Sequence, residues 1–140
     1  MSRCMESKKE ITKSLLANSF KELILDIPFK NITIKMITDK SKVIRPTFYH
    51  HFKDKYEVLE YIVDEDIMKN IYEMVDSDME YESLKIIFIR LEKNREFIKK
   101  AFKVEGQNSF KEILGYKIYN RFISFEHIIN RWMKYILYCF

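Results

Sequence analysis

The chain has 140 residues, about one domain's worth, with 47% apolar and 15% aromatic residues and only two Gly and two Pro to interrupt helices. Its two cysteines, Cys4 and Cys139, lie near the chain ends and away from any metal-ligand or redox spacing, which argues against a disulfide framework or zinc site and for a reducing cytoplasm. No stretch reads as a signal peptide or bilayer span, so a soluble all-α protein is expected, with no membrane among its partners.

The net charge of +4 is unevenly spread: +5 over residues 1–58, −8 over 59–82 and +7 over 83–140. A basic leading segment followed by an acidic neck suits a region that attracts a polyanion. An ordinary solvated mixture of charges would give the same numbers.

In chain order, Ser7-Lys8-Lys9-Glu10 reads as a capping box that opens a helix. Ile11, Leu15, Leu16, Phe20, Leu23, Ile24 and Ile27 recur at helical spacing until Pro28 stops the run, which predicts a helix over 8–26. Thr33 is placed to cap a short helix ending near Lys40, with Ile34 and Ile37 inward. Pro46 is tolerated in the first turn of a third helix, about 45–51, because the amide it lacks has no intrahelical partner there. Asp54 is a cap for a long fourth helix carrying apolar residues from Val58 to Val75, with an acidic outer face. Ser83 reads as the next cap. Helices are then expected over 96–103, closed by Gly106, and over about 109–123 and 125–138.

Helices of about seven residues are not stable alone, so Thr33 to Phe52 must be held by the flanking helices around Ile34, Ile37, Val43, Phe48 and Phe52. Outside that core remain Thr33, Lys35, Arg45, Thr47, Tyr49, His50 and Lys55, donors and cations that suit phosphate oxygens and base edges of double-stranded DNA. The arrangement is a helix-turn-helix whose third helix would enter a major groove.

Phe29, Thr33-Ile34, Ile37, Val43, Thr47-Phe48-Tyr49, His51-Phe52 and Lys55 together resemble the head of the tetracycline-repressor (TetR) family, over about residues 8–63. The resemblance implies an all-α fold with a helix-turn-helix head, residues 1–55, and a helical regulatory and dimerisation body, residues 56–140, shorter than is usual in the family. It implies a DNA-binding regulator, a repressor relieved by a small ligand, with no cofactor. Thr33, Tyr49 and Lys55 would bind phosphates, while Arg45, Pro46 and His50 would face bases. Two positions depart from the family: Ser41-Lys42 stands where a small residue and Gly are usual, and Ile44 replaces the usual Ser cap. Lys42 in a left-handed conformation would cost about 1 kcal/mol and could be kept for a phosphate contact. The segment from Leu91 through Gly106 to Phe110 resembles a body type that includes activators of dihydroxyacetone kinase operons.

Phe88, Tyr116, Tyr119 and Phe122 are candidates for an apolar effector pocket, with plain core packing as the competing account. Ile128, Ile129, Trp132, Met133, Ile136 and Leu137 form a C-terminal apolar stripe expected to build a homodimer, with helix 109–123 of the same chain as the competing cover. Adjacent His50 and His51 face different ways on a helix, so no metal site is expected. No catalytic motif stands in a convincing context, and an enzyme is not expected. The runner-up is a helical coactivator working through protein contacts, against which the basic surface around Arg45 and Lys55 speaks.

Overall fold

The computed structural model describes residues 2–106, 108–123 and 126–140, and their side chains other than those of residues 2–6, 126–128 and 132. Every regular element among the described residues is helical, as the composition requires. None of these helices is long and apolar enough to cross a membrane. The chain divides into two compact units, Met1–Tyr61 and Ile62–Phe140.

In the first unit, α1 (Ser2–Asp26) starts ahead of the Ser7 box. No Gly or Pro occurs before Pro28, and a capping sequence does not halt a helix that is already running. Its Leu16, Phe20 and Ile24 are buried at helical spacing. Pro28 ends the run and leads into a single 3-10 turn, Phe29–Asn31. Thr33 then caps α2 (Ile34–Ser41), its Oγ1 accepting from the Met36 amide at 3.2 Å. After the turn come α3 (Arg45–His51) and α4 (Lys55–Ile62). Asp54 caps α4 by accepting from the amides of Tyr56 at 2.8 Å and Glu57 at 3.0 Å. The Glu57 carboxylate reaches back to accept from the Lys53 amide, just ahead of that cap.

Aromatic rings fasten these short pieces together. Phe29 meets Phe20 at 6.0 Å and Tyr56 at 4.9 Å, while Phe52 meets Phe48 at 5.8 Å and Tyr61 at 5.5 Å. Such edge and tilted pairs favour the ring quadrupoles and add to the area they bury.

The second unit departs from one long fourth helix. Residues Val63–Met68 form a wider π-helical turn, the chain breaks at Lys69 and Asn70, and α5 (Ile71–Asp76) follows. Wide turns and breaks leave carbonyls without their usual amide partners. Arg90 supplies donors, bonding the carbonyls of Ile67 and Lys69 at 2.7 Å each. Arg90 lies on α6 (Glu80–Lys93), which begins ahead of the expected cap: Ser83 is buried within the helix and its hydroxyl donates to the Glu80 carbonyl at 2.7 Å. Next come α7 (Arg95–Ala101), α8 (Phe110–Arg121) and α9 (Glu126–Cys139). Ser109 caps α8, and Glu112 accepts from the Asn108 amide at 2.9 Å. The core here is built on Ile67, Met68, Ile71, Leu91, Phe110 and Phe122.

Lys42 closes α2 in the left-handed region, at φ 57° and ψ 33°. A residue with a Cβ is strained there by about 1 kcal/mol, and glycine is not. Lys42→Gly is therefore expected to stabilise the protein by about that amount in denaturant titration; an unchanged or lowered midpoint would count against the strain.

Candidate nucleic-acid interface

The third helix is two-sided. Phe48 is fully buried, while Arg45, Pro46, Tyr49 and His50, spaced to share the opposite face, are exposed. Burying Phe48 thus fixes which residues α3 shows to the outside. Pro46 stands in its first turn, where no amide is needed. The Arg45 guanidinium donates from Nη2 to the Tyr49 hydroxyl at 3.3 Å and lies 5.7 Å from that ring's centre. It is therefore braced along the helix, with its remaining donors facing out.

Thr33 is exposed, and its hydroxyl proton remains available to an external acceptor while the oxygen caps α2. Thr47 is half-buried. Lys42 is exposed in the turn. Lys35 pairs with Asp39 at 2.6 Å on an exposed face, where such a pair is worth little and a phosphate can compete for the ammonium.

Lys55 differs from its expected role as a free phosphate ligand. Its Nζ donates to the carbonyls of Phe29 at 2.6 Å, Ile32 at 2.9 Å and Lys30 at 3.4 Å, and stands 4.3 Å from the centre of the Phe29 ring. Burial holds its pKa below the ordinary 10.5. The three carbonyls and the ring face replace lost water. Lys55 is thus a positioning residue that ties the start of α4 to the turn between α1 and α2.

His51 points away from the exposed face of α3. Its Nδ1 is buried without a hydrogen-bond partner. Burial first, then the neighbouring His50, Lys13 and Lys9, hold its pKa below 6.5, against a smaller upward pull from Glu10. Sequence offered only a histidine on a helix; the two lysines that face it come from α1.

The residues assigned to an effector pocket do not converge. In α8 the buried positions are Phe110, Leu114 and Ile118, and this stripe continues into Phe122 just beyond the helix; Tyr116, 70% exposed, and Tyr119 lie away from it. Phe122 is core, and Phe88 is half-buried with its ring 5.6 Å from Tyr135. The aromatic periodicity therefore mixed two faces of one helix. The residues of the C-terminal stripe are divided between buried and exposed positions. Ile129 and Ile136 are 1% and 2% exposed within this chain, where α9 packs on α8. The Met133 Sδ-bound methyl carbon lies 3.5 Å from where a Cβ on Gly115 would sit. Leu137 remains exposed, and the side chains of Ile128 and Trp132 lie outside the described residues, as does Phe125.

Residues 21–62 match the family described as bacterial regulatory proteins, tetR family. The chain is also similar to the HTH-type dhaKLM operon transcriptional activator DhaS of Lactococcus lactis subsp. lactis (strain IL1403), 28% identical over 98 residues, which are 70% of this chain and 52% of that protein. The chain thus spans about half the length of the relative it matches. No solved structure matches it.

The His51 environment sets a pH dependence. A folded-state pKa below the unfolded 6.5 means that the unfolded chain binds the proton more tightly, so stability is complete above 6.5 and is lost as pH falls through that value toward the lower folded one. Melting temperature should fall between pH 7.5 and 5.5 by more in wild type than in His51→Gln; equal falls would remove His51 as the cause.

Proposed function

We propose that the chain, whose residues 21–62 match the tetR family, is a DNA-binding transcriptional regulator that acts in the cytoplasm as a repressor released by a small apolar ligand. Residues 1–55 hold the DNA in this reading, and residues 56–140 regulate and pair. The observation that carries it is the sidedness of α3: a helix sealed on one face by Phe48 shows a braced arginine, a proline, a tyrosine and a histidine on the other. Arg45 and His50 face bases, with Pro46 beside them. Thr33, Thr47, Tyr49, Lys35 and Lys42 hold phosphates, and Lys55 sets the geometry from within. Activation is the second reading, favoured by the name of the Lactococcus relative, an operon activator.

A recognition helix of two turns contacts too few base pairs for useful specificity, so two heads about one DNA turn apart are required. Two-fold pairing of the chain supplies them. With Ile129 and Ile136 buried and Met133 half-buried within the unit, the apolar surface for pairing is formed by Tyr116 and Tyr119 of α8, Ile123 just beyond it, and Leu137 and Tyr138 of α9.

Two experiments test these statements. In gel shifts on genomic fragments, Tyr49→Phe should weaken binding to all sequences alike, and Arg45→Ala should change which are preferred, at a cost of roughly 1–3 kcal/mol on the best site. Wild-type behaviour in both would sink the assignment of α3. In sedimentation at micromolar concentration, the wild type should be a dimer and the double variant Tyr116→Glu, Ile123→Glu a monomer; a monomeric wild type, or a dimeric variant, would rule out this pairing surface.

A further inference from the structure

Ile44 serves neither the cap nor the core. It occupies the N-cap of α3, where a Ser, Thr, Asp or Asn side chain ordinarily accepts from a helix amide, and it makes no side-chain cap bond. Its backbone already forms the turn, the carbonyl accepting from Thr47 at 3.0 Å and Phe48 at 3.3 Å. The side chain is 69% exposed, more than any other large apolar side chain among the described residues of the first unit. A branched hydrocarbon thus stands in water where a polar residue would stabilise the helix. Its neighbours on the exposed surface are Arg45, braced on Tyr49, and Pro46.

This is an apolar, cationic and apolar sequence at the end of the helix that leads into the groove. Of the four base pairs' edges in the major groove, thymine alone offers an apolar group, its C5-methyl, and guanine offers the paired acceptors O6 and N7 that suit a guanidinium. We propose that Ile44, with Pro46 beside it, is a specificity-determining residue that buries a thymine methyl next to the base read by Arg45. The inference rests on the DNA-reading role of α3 given above. Ile44 has no donor or acceptor, so its discrimination comes from covering the methyl, and a base with a polar group at that place is left without a partner. The exposed hydrocarbon is covered when DNA is bound, which accounts for an Ile that the free protein leaves in water.

The test uses the full chain and a pool of random-sequence duplex DNA, from which bound duplexes are selected. In the selected duplex each thymine is then replaced in turn by deoxyuridine, which lacks only the methyl. One thymine in each half-site should be sensitive, its replacement weakening wild-type binding roughly three- to fivefold, as expected for burial of one methyl. Ile44→Ser should bind the two duplexes equally while retaining the base preference set by Arg45. That variant restores a capping hydroxyl and is expected to melt at a higher temperature, so its loss of discrimination would not come from unfolding. The proposal is overturned if no thymine is sensitive, or if Ile44→Ser keeps the wild-type ratio. A pool from which no duplex is retained overturns the DNA-reading role as well, which separates the two failures.

Discussion

A helix of seven residues has no stability of its own, because the cost of its first turn is never recovered by propagation. Everything that α3 shows to the outside therefore depends on how its inner face is fixed. Phe48 is the main fastening, with Phe52 and Tyr61 extending the ring contacts into α4. Lys55 adds a polar fastening, since its ammonium collects carbonyls from the turn that precedes α2. Its desolvation opposes folding, and the carbonyl dipoles offset that cost. Together the rings and the lysine hold a three-piece arrangement in which no piece is long enough to stand alone.

The second unit uses the same device on irregular backbone. Long basic side chains from later helices reach main-chain carbonyls: Arg90 at the end of the π-helical turn, and Arg121 on the Tyr72 carbonyl within α5 at 2.7 Å. Arg121 also pairs with Asp76, and Lys117 with Asp64 at 2.8 Å. Seen this way, the acidic block of residues 59–82 and the basic block after it have an internal use. Some of their opposite charges meet within the unit, and the acidic neck is correspondingly less of an outward-facing feature than the residue counts imply.

What the sequence displayed was local chemistry. Thr33, Asp54 and Ser109 cap helices because the acceptor and the amides it serves lie within three residues, and Pro28 stops α1 through its neighbour. Contacts made across the fold were not legible. Lys55 looked like a surface cation because its acceptors lie more than twenty residues earlier. Ser7 and Ser83 have the composition of caps but lie inside helices, where continued hydrogen bonding overrides a local signal. The periodicity of Ile129, Met133 and Ile136 was readable as a buried stripe, but periodicity does not say whether a neighbouring helix or a second chain covers it. That Tyr116 and Tyr119 lie off the buried stripe of α8 was not legible for a related reason, since aromatic character alone does not fix a residue's face.

Lys42 and Ile44 bound one short connection, Lys42-Val43-Ile44, and each costs the free protein something. Lys42 holds a left-handed conformation that glycine would adopt without strain, and Ile44 leaves α3 without a side-chain cap. Both side chains point outward, one cationic and one apolar. Lys42 and Ile44 thus depart from the local rules at the two ends of the turn that leads into α3. Local inconsistency of this kind concentrates where function competes with stability. On the DNA-reading assignment the two residues have complementary uses: a lysine for the sequence-blind attraction of phosphate, and an isoleucine for a base edge that carries sequence. The fastening of α3 by Phe48 and of α4 by Lys55 holds the helices on either side of a turn that has neither a glycine at Lys42 nor a side-chain cap at Ile44.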